Sequence, residues 1–468
     1  MGKKIHMKDT SHSKTAPPPK KKPRTGCKKP TSQPEPQQDP WSPIKVSHSE
    51  FLRDLECIGE MISLVLPVLK KRDEERGLRI KALVEEFETK DGEEALRLKS
   101  ATDIKELIGH LQKMRKGDRM FRQGVITSIV SKFDEFLIDL LQVCYLQNPN
   151  WLSNPEKKIS YKELLEIKSL ETLKSEIVAK EIDSLMRGSH HAQIKFLDNN
   201  LKLGIEDGFP AWKQFLEITE RRNLFVHTGG AVSPVYIENC QKWKISINDD
   251  IKEGINLGAS DEYIQHAIDC FYELSVRVAQ ATMRRVFPSC FEDADKQLNN
   301  RSVDLLIEER WELAERIFEF ALHIPKDLAS KGEFKYYFLL NRCIALKFRG
   351  KAIDEFLHSI DWAPFHPKYH FAVAVLEDRF ADAESLMKTQ AVQSEITEEF
   401  FKTWPLLREF RKSVEFQRAF EDIFGKSYGD ELLQEVEREI QEAQQAEIQQ
   451  PLSADLFTSS SVISNSTP

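Results

Sequence analysis

Hydrophobic residues recur at intervals of three and four along most of this chain, which is the spacing of one face of an α-helix. The pattern starts near residue 47, and its first members are Phe51, Leu55, Ile58, Ile62 and Leu66. A second strong helix is predicted over residues 119–146, with an apolar face formed by Val125, Ile129, Phe133, Phe136, Leu137 and Leu140. Asp134 and Glu135 interrupt that face. The pattern predicts a mainly α-helical protein.

One further helix carries an unusual charge. It is predicted to begin near Pro210, because proline is tolerated in a first turn, and to end at Gly229-Gly230. Its apolar stripe contains Trp212, Phe215, Ile218, Phe225 and Val226. Arg222 falls in the middle of this stripe, where an unpaired guanidinium is costly to bury. Either Arg222 is paired, or the stripe opens there onto a site that requires a positive charge.

The helical pattern is interrupted after this helix. Residues 232–236 and 243–247 are β-branched and aromatic, which predicts short extended pieces or a small hairpin. Ser260 then offers an N-cap for a long helix to about Val286. Residues 46–288 are therefore predicted to form one antiparallel helical bundle with a small β-like insertion.

The C-terminal part has a different pattern. Residues 288–300 are predicted to form a linker, and residues 300–430 a series of short helices. Small residues such as Ala314, Ala321 and Ala345 lie beside large ones, as they do where paired helices cross. This resembles a tetratricopeptide-like (TPR-like) α-solenoid, although no clean repeat of roughly 34 residues is present. Residues 431–468 are Glu/Gln-rich and then Ser/Thr-rich, which predicts a low-complexity tail.

Composition and charge narrow the functional classes. The net charge of −8 argues against a protein that coats duplex nucleic acid, but not against a local basic site. Residues 1–45 are rich in lysine and proline and are predicted to form a disordered basic tail. Its basic run, Lys20–Arg24, is an RNA tether, a nuclear-import signal or a solvated arm.

The cellular setting is predicted from features that the sequence lacks. The seven cysteines are scattered, with no Cys-x-x-Cys pair, which indicates reduced thiols. There is no apolar secretory segment and no apolar stretch of membrane-spanning length. We therefore expect a cytoplasmic protein that does not interact with a membrane.

Arg222, Asn223 and His227 form a candidate catalytic set at the end of the helix. Histidine transfers protons near neutral pH, and the planar guanidinium of arginine stabilises charge on phosphate oxygens. Asn223 either orients a ribose or phosphate oxygen or holds His227 in one tautomer. Glu220, on the same flank, either pairs with His227 or faces solvent. Glu220 and Arg221 are further candidates for contacting substrate.

Structural interpretations compete with this hypothesis. Arg222 is alternatively a structural partner of Asp134 or Glu135. His227 is alternatively a histidine that interacts with the dipole at a helix C-terminus.

Two histidine pairs have spacings that suggest metal binding. His190 and His191 follow a loop sequence and are expected to be solvated, while Pro367 disrupts the helical spacing of His366 and His370. Neither pair has a third ligand nearby. A phosphate-binding loop with its lysine and serine is absent, as is a Ser or Cys nucleophile motif. We expect no metal and no cofactor.

The motif Arg222-Asn223-x-x-x-His227, followed by Thr-Gly-Gly, resembles the signature of the HEPN superfamily. The segment 130–137 is similar to the acidic, aromatic helix that packs beside that motif. The stretch after Gly230 and the segment 261–264 resemble the usual continuation. The resemblance covers roughly residues 47–288.

This resemblance implies a homodimer that brings two motifs together, and metal-independent cleavage of RNA by Arg222 and His227. Such endoribonucleases are typical of toxin–antitoxin, stress and antiphage defence modules. The TPR-like region would then bind a protein partner or hold the nuclease in check. The superfamily also contains members without catalysis. The alternative is a non-catalytic scaffold, in which the bundle dimerises and the TPR-like region recruits protein.

Overall fold

The computed structural model describes residues 39–88, 94–98, 101–152 and 169–430, together with positions 433 and 438. Side chains at 79–104, 106, 107 and 391 are not described. The predicted basic tail therefore lies outside the described residues up to position 38, and the C-terminal tail lies outside them except at the two isolated positions. The tail prediction was too long at its end, because Ser42 begins a helix and Ile44 is buried in the core.

Two long helices and a hairpin form the first part of the described chain. These elements are α1 (Ser42–Leu83), β1 (Val84–Glu88), β2 (Glu94–Leu98) and α2 (Ala101–Gln147). The strands are antiparallel, with Val84 opposite Leu98, and α1 packs along α2. The sequence pattern predicted the two helices and missed the short, charged hairpin.

Shorter helices and one long helix complete the N-terminal bundle. They are a 3₁₀ turn (Pro149–Leu152), α3 (Leu170–Met186), α4 (His190–Leu201), α5 (Ile205–Gly208), α6 (Trp212–Thr228), α7 (Pro234–Lys242) and α8 (Asp261–Val286). Helix α6 is the helix that carries Arg222 within its apolar stripe. It packs against α2, α4 and α8.

The predicted β-like insertion was wrong. Helix α7 occupies most of it, since Ser233 caps the helix by accepting the Tyr236 N–H and Pro234 fits its first turn. These capping signals outweigh the β-propensity of the residues in this segment. Among the described residues of this region, β-pairing is limited to a single bridge between Ala231 and Asn256.

Three phenylalanines fix α6 within the bundle. Phe133 of α2, Phe215 of α6 and Phe271 of α8 meet edge to face, with ring centroids 5.1–5.8 Å apart. All three are fully buried, and truncating such a residue to alanine typically costs about 3–5 kcal/mol. Phe133 directly precedes Asp134, so this contact sets the position of Asp134 relative to α6.

The second half of the chain is a succession of shorter helices. They are α9 (Phe291–Ile307), α10 (Trp311–Leu322), α11 (Phe334–Phe348), α12 (Asp354–Leu357), α13 (Pro367–Leu376), α14 (Phe380–Met387), α15 (Gln390–Gln393), α16 (Glu398–Thr403) and α17 (Val414–Phe424). Two 3₁₀ turns, Pro405–Leu407 and Phe410–Lys412, precede α17. The described chain is thus mainly helical.

The predicted linker over residues 288–300 was also wrong, because α9 runs through it. A buried ion pair joins α9 to α8: Arg284 Nη2 lies 2.6 Å from Asp295 Oδ1, and both side chains are at most 3% exposed. The described residues from Pro40 onward belong to one compact unit. Within its described residues, no helix is long and apolar enough to cross a membrane.

Candidate functional site

Helix α6 ends where the two glycines predict. Gly229 and Gly230 have positive φ angles of 64° and 98°, and the Gly230 N–H donates to the Leu224 carbonyl oxygen at 3.0 Å. A Cβ at Gly230 would lie 2.8 Å from the Leu257 carbonyl oxygen, so a side chain does not fit there. The chain turns away at this point and leaves His227 in an exposed last turn.

The buried face of α6 agrees with the predicted stripe except at one position. Trp212, Phe215, Ile218 and Phe225 are buried, whereas Val226 is 52% exposed. The prediction was wrong at Val226 because the buried arc turns toward Leu224 in the last turn, where a second small core forms with Tyr236 of α7.

Arg222 is paired across the bundle. Its Nη2 donates to Asp134 Oδ2 of α2 at 2.9 Å, and its Nη1 lies 3.4 Å from the Asn223 Oδ1 acceptor. The side chains of Arg222 and Asp134 are 20% and 23% exposed, so the pair lies at the edge of the core. Of the two carboxylates considered as structural partners, Asp134 is the partner, while Glu135 pairs with Lys132.

His190 completes this cluster, contrary to the expectation that it is solvated. It is the first residue of α4, its side chain is 9% exposed, and its Nε2 lies 2.9 Å from Asp134 Oδ1. The sequence signal that predicts a helix at His190 is Ser189, whose side chain caps the helix by accepting the Ala192 N–H. Asp134 therefore holds His190 with one oxygen and Arg222 with the other.

The predicted residues Arg222, Asn223, His227 and Glu220 all line one cleft of about 580 Å³. Asp134, His190 and Asn239 also line it. His227 is exposed and makes no hydrogen bond to any residue that the structure describes. Neither alternative for Glu220 was right, because it is 6% exposed and accepts a hydrogen bond from Asn239 Nδ2 at 2.8 Å.

Arg221 is the one candidate that does not line this cleft. Its Nε donates to Glu217 Oε1 at 2.7 Å, its Nη1 donates to the Gly258 carbonyl oxygen, and its guanidinium stacks over the Tyr263 ring. These contacts engage its side chain with groups of the same chain.

The described lining residues of the cleft offer imidazole, guanidinium, amide, carboxylate and hydroxyl groups, but no thiol or amine. Cys240, which packs with Leu224 and Tyr236 beside it, is buried, and this burial raises the pKa of its thiol to about 11. A thiol with such a pKa is largely protonated at neutral pH and unreactive.

No cluster of metal-ligating side chains occurs within the described ranges. His191 stacks on Trp243. His366 Nδ1 accepts the Lys368 N–H, while His370 Nε2 lies 2.8 Å from the Trp362 carbonyl oxygen. Each of these histidines thus has a structural contact of its own.

Comparison of the chain with protein-family models, with curated proteins and with solved structures gave no match.

Proposed function

We propose that this protein is a metal-independent endoribonuclease of the HEPN type. One observation carries the proposal: Arg222, Asn223 and His227 line a single cleft, at the spacing of the motif that they resemble. That cleft also contains a second imidazole, from His190. Proton-transfer groups beside a fixed cation are what RNA cleavage without a metal requires.

In the proposed reaction, the ribose 2′-hydroxyl attacks the adjacent phosphorus. The 2′-O–P bond forms and the P–O5′ bond breaks, which gives a 2′,3′-cyclic phosphate and a 5′-hydroxyl end. His227 transfers a proton at the 2′- or 5′-oxygen. Arg222 stabilises the charge that grows on the non-bridging phosphate oxygens, and Asn223 positions the nucleotide.

Asp134 orients Arg222 for this role without using all of its donors. The guanidinium carries more N–H groups than its contacts with Asp134 and Asn223 occupy. A phosphate can therefore bind the remaining donors while the carboxylate stays in place. A fixed, preoriented cation needs little rearrangement in the transition state.

His190 gives the cleft a second group for proton transfer. The contact of its Nε2 with Asp134 fixes the position of this imidazole at the edge of the cleft. Cleavage by this route requires removal of a proton from the 2′-hydroxyl and donation of a proton to the leaving 5′-oxygen. We therefore assign His190 a supporting role in the proton transfer that His227 performs.

We further propose that two copies of the chain assemble around these clefts. Val226 and Val235, which are 52% and 60% exposed at this end of the bundle, would lie in that interface. The shorter helices from α10 onward would form a TPR-like region that binds a protein partner. A role as a toxin or an antiphage effector rests on the resemblance alone.

Cleavage of RNA by the purified full-length chain in EDTA tests the proposal. The expected products carry 2′,3′-cyclic phosphate ends. His227→Ala is expected to lower the cleavage rate by about 10²–10⁴-fold and to keep the melting temperature of the parent, because the side chain is exposed.

The matched control is His266→Ala, which removes another exposed histidine and should cleave at the parental rate. Unchanged cleavage by His227→Ala, or its loss together with the fold, would overturn the role of His227. Absence of cleavage by a folded dimer would instead favour the non-catalytic scaffold. The ion pair of Arg222 with Asp134 is compatible with that alternative, because it also gives the cation a structural use.

A further inference from the structure

A second cavity lies away from the cleft at Arg222, and no residue lines both. It measures about 490 Å³, within the range of small-molecule sites. Its walls come from three parts of the bundle: the segment 202–210 that joins α4 to α6, the last turns of α8, and the end of α10 with the segment that follows.

Two arginines of α8 form a rigid part of the lining. Arg277 bonds to Glu273 and to the Gly208 carbonyl oxygen, and it stacks between the rings of Phe209 and Phe320. Arg284 is 2% exposed and bonds to Asp295, but its Nε has no acceptor among the described residues. A buried donor without a partner is costly.

The open part of the lining carries uncompensated positive charge. Lys202 and Arg285 are exposed, and neither forms an ion pair with any residue that the structure describes. His323 is also exposed. Its Nδ1 donates to the Glu319 carbonyl oxygen, which leaves its Nε2 available.

Acidic residues do little to offset this charge. Glu319 is the one carboxylate among the described lining residues, and it already pairs with Arg342 at 3.2 Å. The chain as a whole carries a net charge of −8, so this positive cavity runs against the charge of the rest of the protein. The remaining wall is apolar and includes Leu203, Ile205, Ile324, Pro325 and Leu328.

We infer that this cavity binds an organic phosphate of about the size of a mononucleotide. Lys202 and Arg285 would hold the phosphate by charge-assisted hydrogen bonds, and His323 lies beside them in the lining. The organic part would lie against the wall that contains Ile324 and Pro325. The volume exceeds that of a bare phosphate, and the apolar wall offers a free anion no contact, which favours an organic phosphate.

Calorimetric titration of the full-length chain with AMP, GMP, CMP and UMP tests this inference. At least one nucleotide is expected to bind with a Kd below about 0.1 mM, and more than tenfold more tightly than inorganic phosphate. Arg285→Gln and Lys202→Asn should each weaken binding by about tenfold or more. Asparagine is chosen because position 202 has a φ of 54°, which asparagine tolerates.

Two controls separate this cavity from the RNA site. Lys195→Gln removes an exposed charge from α4 outside the cavity and should leave the Kd unchanged, as should Arg222→Ala. Binding that is lost in Arg222→Ala but kept in Arg285→Gln would place the nucleotide in the other cleft and overturn the inference. So would failure of all four nucleotides to bind, or binding of a fatty acid such as octanoate in their place.

Discussion

Arg221 and Arg222 are neighbours on the same helix, yet their surroundings differ in kind. Arg221 donates to Glu217, and its guanidinium carbon lies 4.2 Å from the centre of the Tyr263 ring. Arg222 donates to Asp134 at the edge of a cleft, and its Nε has no acceptor among the described residues. One step along a helix turns a side chain by about 100°, so adjacent arginines serve different surfaces.

The acids that face these arginines show the same contrast. Glu217 accepts hydrogen bonds from Arg221, from the Tyr236 hydroxyl at 2.8 Å and from the Tyr263 hydroxyl at 2.7 Å. Asp134 accepts from Arg222 and lies beside His190, and all three line a cavity. A closed network inside one chain stabilises the fold, whereas a network at a cleft can also act on a ligand.

Removing the centre of the closed network should have the largest effect on stability. Glu217→Ala leaves a guanidinium and two tyrosine hydroxyls without their acceptor, and breaking a buried ion pair typically costs about 3–5 kcal/mol. Urea denaturation of the variant and the parent measures the difference in unfolding free energy.

The matched control is Glu238→Ala, which removes an exposed carboxylate from α7 and should change stability by at most about 0.5 kcal/mol. Equal effects of the two variants would contradict a stabilising role for the network around Glu217.

The sequence predicted those parts of the site that depend on local signals. The end of α6 follows from Gly229-Gly230, and most of its buried face follows from helical periodicity. An arginine within that face had to be paired or to face a site, and Arg222 is paired with Asp134 and also lines a cleft. Asp134, one of the two acids named as its possible partner, lies 88 positions away.

Long-range contacts set the rest of the site, and no local pattern contains them. His190 approaches Asp134 from 56 positions away, and Tyr263 reaches Glu217 from 46 positions away. The expectation of a solvated His190 considered only its loop neighbours. The sequence likewise predicted a substrate contact for Arg221, because the network that engages its guanidinium includes residues that are distant in the chain.

Substituting the two arginines separately should give opposite results. Arg222→Ala is expected to lower RNA cleavage by about 10²–10³-fold, as loss of a transition-state donor does, and to cost about 1 kcal/mol of stability or less. Arg221→Ala should keep cleavage within about threefold of the parent and cost about 1–3 kcal/mol. Cleavage rates and urea midpoints of both variants provide the measurement.

If both variants lost cleavage to the same extent, or both lost stability to the same extent, the contrast between the two arginines would be disproved. Arg222→Lys sharpens the result. It keeps the charge but not the planar fork of donors, so a cleavage rate close to that of Arg222→Ala would indicate that geometry matters as well as charge.

A further expected effect appears only at high pH and only in the closed network. Burial, reinforced by the Glu217 carboxylate, raises the pKa of Tyr236 and of Tyr263, whereas an unfolded tyrosine loses its proton near pH 10. Above that pH the unfolded chain binds fewer protons than the folded one. Stability is therefore intact below about pH 10 and falls above it, by up to about 1.4 kcal/mol per pH unit for each tyrosine.

Urea midpoints between pH 8 and 11 should fall less steeply for the Tyr236→Phe/Tyr263→Phe double variant than for the parent. The control Tyr428→Phe, which lies against Phe416 in the C-terminal region, should retain the parental slope, and a double variant with that same slope would remove the two tyrosines from the proposed network.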